Sequence, residues 1–173
     1  MGVIVESQTG LFHLQSSGMS YILQIVDGYP AHVYWGSKLK HRVPMEGLLI
    51  HTPEKAGLDR LPQEYPQYGS GDFRNPAYQV ELEDGTRITE LKYEGYRIIK
   101  GKPALTGLPA VYTEDEAEAD TLELELRDAY SGLKVVLLYT VFAERNVIVR
   151  SARLINGGDR KLRLRRALRA SVD

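Results

Sequence analysis

Seven residues, Thr121-Leu122-Glu123-Leu124-Glu125-Leu126-Arg127, alternate polar and apolar without a break. A period of two is satisfied by an extended strand with one dry and one wet face. Just downstream, Leu133 to Phe142 (LKVVLLYTVF) is nearly all apolar and rich in β-branched and aromatic residues. That pattern predicts a central strand covered on both faces. Asn146 to Asn156 continues as a strand into the turn Asn156-Gly157-Gly158-Asp159, and Lys161 to Val172 resumes the alternation. Arg166 interrupts the apolar face of that last segment, so a bulge or a wet opposing surface is expected there.

The first half reads the same way. Leu11 to Gln15, Ser20 to Val26 and Ala31 to Trp35 are short strands, with Asp27-Gly28 as a turn. Tyr78 to Leu82 and Thr86 to Tyr93, joined by Glu83-Asp84-Gly85, are expected to form a hairpin, with Tyr96 to Lys100 as a further strand. Glu114 to Asp120 is the nearest approach to a helix and has no apolar stripe. About ten short strands with regularly spaced turns predict an all-β sandwich in one domain over residues 1–173.

Composition removes several classes of chemistry. The chain has no cysteine, which excludes disulfides, thiolate nucleophiles and cysteine metal sites. Its 22 Lys and Arg against 23 Asp and Glu leave a net charge of −1, so whole-chain charge predicts neither a nucleic-acid nor a membrane partner. No apolar run reaches the ~18–20 residues of a membrane helix, and Met1 to Glu6 lacks the features of a signal peptide. A cytoplasmic protein is expected. Charge is segregated, however: Glu114 to Asp128 holds eight acids and one base, and Arg145 to Arg169 nine bases and one acid. Neighbouring strands with complementary outer faces account for this more simply than a nucleic-acid stripe, which would interleave aromatics.

Ser37 to Arg74 is a long connection of a kind that tends to be functional. It ends in Gln63-Glu64-Tyr65-Pro66-Gln67-Tyr68-Gly69-Ser70-Gly71-Asp72-Phe73-Arg74, and Tyr34-Trp35-Gly36 stands just before it. Aromatic rings among carboxylates, amides and a guanidinium suit sugars, which offer apolar C–H faces and hydroxyl edges. A loop folded on its own rings, with Arg74 tethered to Glu64 or Asp72, would look the same. No P-loop, GxGxxG, GxSxG or HExxH pattern is present, and Gly69-Ser70-Gly71 does not lead into a helix. His13 and His32 sit among apolar strand neighbours and read as structural. His41 and His51 lie in the long loop and are expected in solvent, so no metal site is predicted. No pair of acids stands out as catalytic.

Several stretches carry a family likeness: FHLQ (12–15), AHVYWG (31–36), LPQEYPQYGSGDFRNPAYQVEL (61–82) and RITELKYEGYRIIKGKPALTGLPAVY (87–112). They are followed by EAEADTLELEL (116–126), GLKVVLLYTVF (132–142) and RALRASVD (166–173). In this order they resemble the N-terminal domain of bacterial α-galactosidases of glycoside hydrolase family 36. The resemblance implies a β-supersandwich of two mostly antiparallel sheets with one long aromatic-rich loop. It also implies that the catalytic aspartates lie on a (β/α)8 barrel beyond Asp173, so no residue here is expected to be catalytic and the isolated chain is expected to be inactive. On this resemblance the chain would support the barrel, help to form a homo-oligomer and lend Trp35, Tyr65, Asp72 and Arg74 to the rim of an α-galactoside pocket. It implies no metal and no organic cofactor. The family's loop can supply an acid to the pocket; Glu46, Glu54 and Asp59 are the candidates here. Arg163 and Arg165, in the basic last strand, would face the barrel or a neighbouring subunit. The alternative is a free-standing carbohydrate-binding sandwich using the same aromatic residues.

Overall fold

The computed structural model describes residues 2–42, 45, 47–49, 58–69, 71–105, 107 and 111–168. Ten strands account for about half of them, and every pairing is antiparallel. The first sheet runs in chain order: β1 (Gly2–Glu6), β2 (Leu11–Gln15), β3 (Met19–Val26) and β4 (Tyr29–Ser37). β3 and β4 are joined by Asp27 and Gly28, both at positive φ (52° and 85°). That is the two-residue turn whose twist matches a hairpin, and an Asp-Gly pair tolerates it. The second sheet is formed by β6 (Leu91–Lys100), β7 (Ala119–Asp128), β8 (Leu133–Phe142) and β9 (Ile148–Asn156), again in chain order. β5 (Tyr78–Glu81) and β10 (Arg163–Ala167) make a separate two-stranded ribbon.

The inner faces of the two larger sheets meet in one core. Phe12, Leu14 and Leu23 come from the first sheet, and Leu122, Leu124 and Leu137 from the second. Tyr78 and Val80 of the ribbon join them. The alternating stretch behaves as its period requires: Leu122, Leu124 and Leu126 are at most 1% exposed. β8 is buried on both faces. Register sets its Val136 between Glu125 and Arg153, and its Leu138 between Glu123 and Ser151. An Arg153–Glu123 ion pair (3.4 Å) spans β8 from β9 to β7, so charged side chains roof the outer face. Arg97 of β6 also bonds Glu123, and Lys134 pairs with Glu125 at 2.5 Å. Three acids of the block, Asp120, Glu123 and Glu125, are thus matched by bases on adjacent strands.

Three expectations need correction. Tyr78–Leu82 does not pair with Thr86–Tyr93: the Glu83-Asp84-Gly85 turn forms, but β5 pairs with β10 and the following strand joins β7. Thr86–Tyr93 and Tyr96–Lys100 are not two strands, because β6 runs unbroken from Leu91 to Lys100. A register shift between Tyr93 and Gly95 re-phases its side chains and hides the continuity from a simple alternation count. The two-sheet layout gains the β5–β10 ribbon. The irregularity expected at Arg166 is present: register shifts between Leu164 and Arg166, leaving Arg165 as the extra residue. Glu116–Glu118 form a single 3-10 turn, capped by Asp115 and Glu118.

Candidate functional site

The most concentrated chemistry lies where the long connection passes between the two sheets. Ala31 of β4 bridges Gln63, and the Glu64 N–H donates to the Pro30 carbonyl (2.8 Å), which stitches the end of the loop to the first sheet. Glu64 is thereby placed inside the sandwich, 1% exposed. Its Oε1 accepts from the Tyr21 hydroxyl at 2.6 Å and from His32 Nδ1 at 2.9 Å. Its Oε2 accepts from the Tyr139 hydroxyl at 3.0 Å and forms an ion pair with the Arg150 guanidinium at 2.7 Å. Tyr21 and His32 belong to the first sheet, Tyr139 and Arg150 to the second, so one carboxylate ties the two sheets together.

Electrostatics follow from that geometry. Burial alone would raise the Glu64 pKa, but His32, Arg150 and Tyr21 outweigh it and hold the carboxyl below its ordinary range. Burial and the facing carboxylate push both Tyr21 and Tyr139 upward, so both remain phenols. Burial opposes the charge on Arg150, yet Tyr139, Glu64 and Tyr21 raise its pKa. Its guanidinium also lies over the Tyr139 ring, 4.9 Å from the centroid.

Asp72 and Arg74 come together with each other. Asp72 Oδ1 accepts from Arg74 Nε (2.9 Å) and from the Arg74 backbone N–H (3.1 Å). Oδ2 accepts from Gln63 (2.7 Å) and the Arg74 guanidinium (3.0 Å). Arg74 also donates to the carbonyls of Leu58 and Leu61. The pair therefore braces the loop around the 3-10 turn Leu58–Arg60. Tyr65 is a core residue, 3% exposed and stacked on Tyr78 at 5.4 Å; burial pushes its phenol up to about 12. Trp35 is 61% exposed, near Tyr21, and its indole N–H donates to Met19 Sδ. Of the four predicted rim residues, Trp35 alone presents a broad surface. Glu46 and Glu54 lie outside the described residues, as does the Asp59 side chain.

His41 overturns the expectation of a solvated loop histidine. It contacts Glu6 through Nε2 (3.1 Å) and His13 through Nδ1 (3.1 Å), and His13 Nε2 meets Ser20 Oγ at 2.8 Å. Burial, then His41 and Lys38, lower the His13 pKa to about 4. The chain Glu6–His41–His13–Ser20, with Leu39 bonded to Ser20 and Gln15, pins the start of the loop to the first sheet. His51 lies outside the described residues. Among the described residues no group of three or more His, Asp or Glu is arranged to hold a metal ion, and no helix is long and apolar enough to cross a membrane.

Glu64 and Arg150 escaped the sequence reading. The available signal was Arg150 itself. It stands on the inward face of β9 between Ile148 and Ala152, where a cation demands a buried partner. Its partner is 86 residues away in sequence, and alternation says nothing about that distance.

Fold and site together define an all-β sandwich in which buried Glu64 and Asp72 tie its parts together. The family model described as Glycosyl hydrolase family 36 N-terminal domain matches residues 28–173. The chain is 48% identical to the alpha-galactosidase AgaA of Geobacillus stearothermophilus, an alignment that covers 100% of this chain and 25% of that protein. It is 37% identical to the bifunctional alpha-galactosidase/sucrose kinase AgaSK of Mediterraneibacter gnavus, covering 100% and 20%. The crystal structure of the GH36 alpha-galactosidase AgaB from Geobacillus stearothermophilus superposes with a TM-score of 0.87 at 48% identity, over 98% of this chain and 24% of that one. The chain belongs to the N-terminal domain family of the family 36 glycoside hydrolases. It spans between a fifth and a quarter of the length of these relatives.

Proposed function

We propose that this chain is the non-catalytic N-terminal part of a retaining α-galactosidase, which removes terminal α-galactosyl residues by double displacement without a metal or organic cofactor. Its role is to buttress the catalytic barrel, contribute to a homo-oligomer and shape the pocket rim through Trp35 and the loop braced by Asp72 and Arg74. One observation carries the reading: each oxygen of buried Asp72 receives two donors, and buried Glu64 receives three and is ion-paired with Arg150. A carboxylate whose two oxygens are both engaged in this way serves structure rather than being held open for a substrate. The whole-chain likeness to a quarter of a known enzyme supports the same conclusion.

In the full-length enzyme, Asp72→Ala or Arg74→Ala should raise KM or weaken assembly by releasing the loop. Unchanged kinetics together with unchanged oligomeric mass would remove the claim. Arg163 and Arg165 both bond Glu81 on the β5–β10 ribbon and remain well exposed. If that ribbon faces the barrel or another subunit, reversing both charges should shift assembly; an unaltered mass and activity would exclude that face.

A further inference from the structure

A cleft opens at the end of the first sheet opposite Trp35, between the β1–β2 turn and the edge strand β6. Nine residues line a volume of about 280 Å³, and none of them carries a charge. Its lining includes Ser7, Gln8 and Thr9 of the turn, Tyr93 and Tyr96 of β6, and Phe12 of β2. Three sequence features build it. The bulge between Tyr93 and Gly95 is the first. Residues three apart on a regular strand face opposite sides, but here Tyr93 opposes Leu126 and Tyr96 opposes Leu124, so both rings share the inner face. Phe12, 1% exposed, is the second: it meets Tyr93 edge-on at 6.3 Å and Tyr96 at 5.1 Å, fixing both rings. The third is the turn, braced by the Thr9 hydroxyl on Glu6 Oε2 (3.1 Å) and by Gln24 on the Thr9 carbonyl (3.1 Å). Tyr96 nevertheless stays 41% exposed, a held aromatic face without a covering layer.

We propose that this cleft binds one pyranose residue of a neutral oligosaccharide, with the sugar's C–H face on Tyr96 and its hydroxyls directed to Ser7, Gln8 and the tyrosine hydroxyls. The uncharged lining disfavours phosphorylated or carboxylated ligands, which need a cation or a row of N–H donors. The volume falls just below the ~300–1,000 Å³ of drug-sized pockets, which suits a single ring. Rigid rings beside short hydroxyl and amide side chains offer both the apolar and the polar contacts that a sugar makes, on a surface already ordered before binding. The proposal does not rest on the role assigned to the loop, because none of the lining residues belongs to it.

The test is an NMR titration of the 173-residue chain with melibiose, following backbone amides and aromatic side chains. Saturable shifts in the millimolar range are expected at Ser7, Gln8, Tyr93 and Tyr96, with the Trp35 indole signal unmoved. Tyr96→Ala, checked for an unchanged far-UV circular dichroism spectrum, should weaken binding by about tenfold or more. Gln8→Ala should weaken it severalfold with an unchanged amide spectrum elsewhere. The proposal is overturned by the absence of saturable shifts, by shifts centred on Trp35 and the loop, or by undiminished affinity in Tyr96→Ala. None of these results depends on the enzyme assays that test the domain's structural role.

Discussion

Replacing Arg150 by Met removes the guanidinium and keeps much of the side chain's length. Glu64 is then left as a buried carboxylate held by two phenols and one imidazole, none of which is a fixed positive charge. Breaking a buried pair on one side costs about 3–5 kcal/mol, since the remaining charge is uncompensated. A domain of this size has roughly 5–15 kcal/mol to lose, so the variant should unfold at markedly lower urea. Arg150→Met combined with Glu64→Gln removes both charges and should recover about 1–3 kcal/mol relative to the sum of the single changes. Equilibrium urea unfolding followed by far-UV circular dichroism measures all four chains of the cycle. The pH dependence has a defined sign. The folded-state pKa of Glu64 lies below its unfolded value, so its stabilisation is present above about pH 4.5 and is lost as pH falls through the lowered value. A cost below about 1 kcal/mol for Arg150→Met, or strict additivity in the double variant, would refute the claim that this pair ties the sheets together.

Two further predictions concern stability. His13 has a folded pKa of about 4 against an ordinary 6.5, so the unfolded chain takes up a proton that the native chain refuses, and stability should fall as pH drops between those values. His13→Gln should flatten urea-midpoint profiles between pH 6.5 and 5; an unaltered slope there would exclude His13 as its source. Gly158→Ala should destabilise by about 1–3 kcal/mol, because an added Cβ would stand 2.4 Å from the Ser131 carbonyl oxygen where the β7–β8 and β9–β10 connections touch. A thermal midpoint equal to that of the parent chain would show that the two turns separate at little cost.

What could be read from the sequence was whatever depends on neighbours along the chain. β2 and β8 fall where the pattern puts them, since five and ten consecutive residues carry their own burial signal. The irregularity in β10 was announced by Arg166 on an otherwise apolar face. What escaped depends on distant partners or on a change of phase. The bulge in β6 made one strand resemble two, and the ribbon pairs Tyr78–Glu81 with residues more than eighty positions later. The aromatic loop is chemically dense in the sequence, and in the structure its Glu64, Tyr65, Gln67 and Asp72 are buried while Tyr68 and Phe73 stay exposed. Arg74 is tethered to Asp72, one of the two partners considered, whereas Glu64 is bound to Arg150. A loop folded on itself and a loop that grips a ligand draw on the same residue types, and only coordinates separate Tyr65 in the core from Trp35 on the surface.

The central claim is that this chain supports catalysis without performing it. The most direct measurement is turnover of p-nitrophenyl α-galactoside by the purified 173-residue chain beside the full-length enzyme. The account predicts hydrolysis by the full-length enzyme and none by the chain alone. Turnover by the chain that persists through purification and disappears on Asp72→Asn or Glu64→Gln, in variants that still fold, would place the catalytic carboxylates here and contradict it.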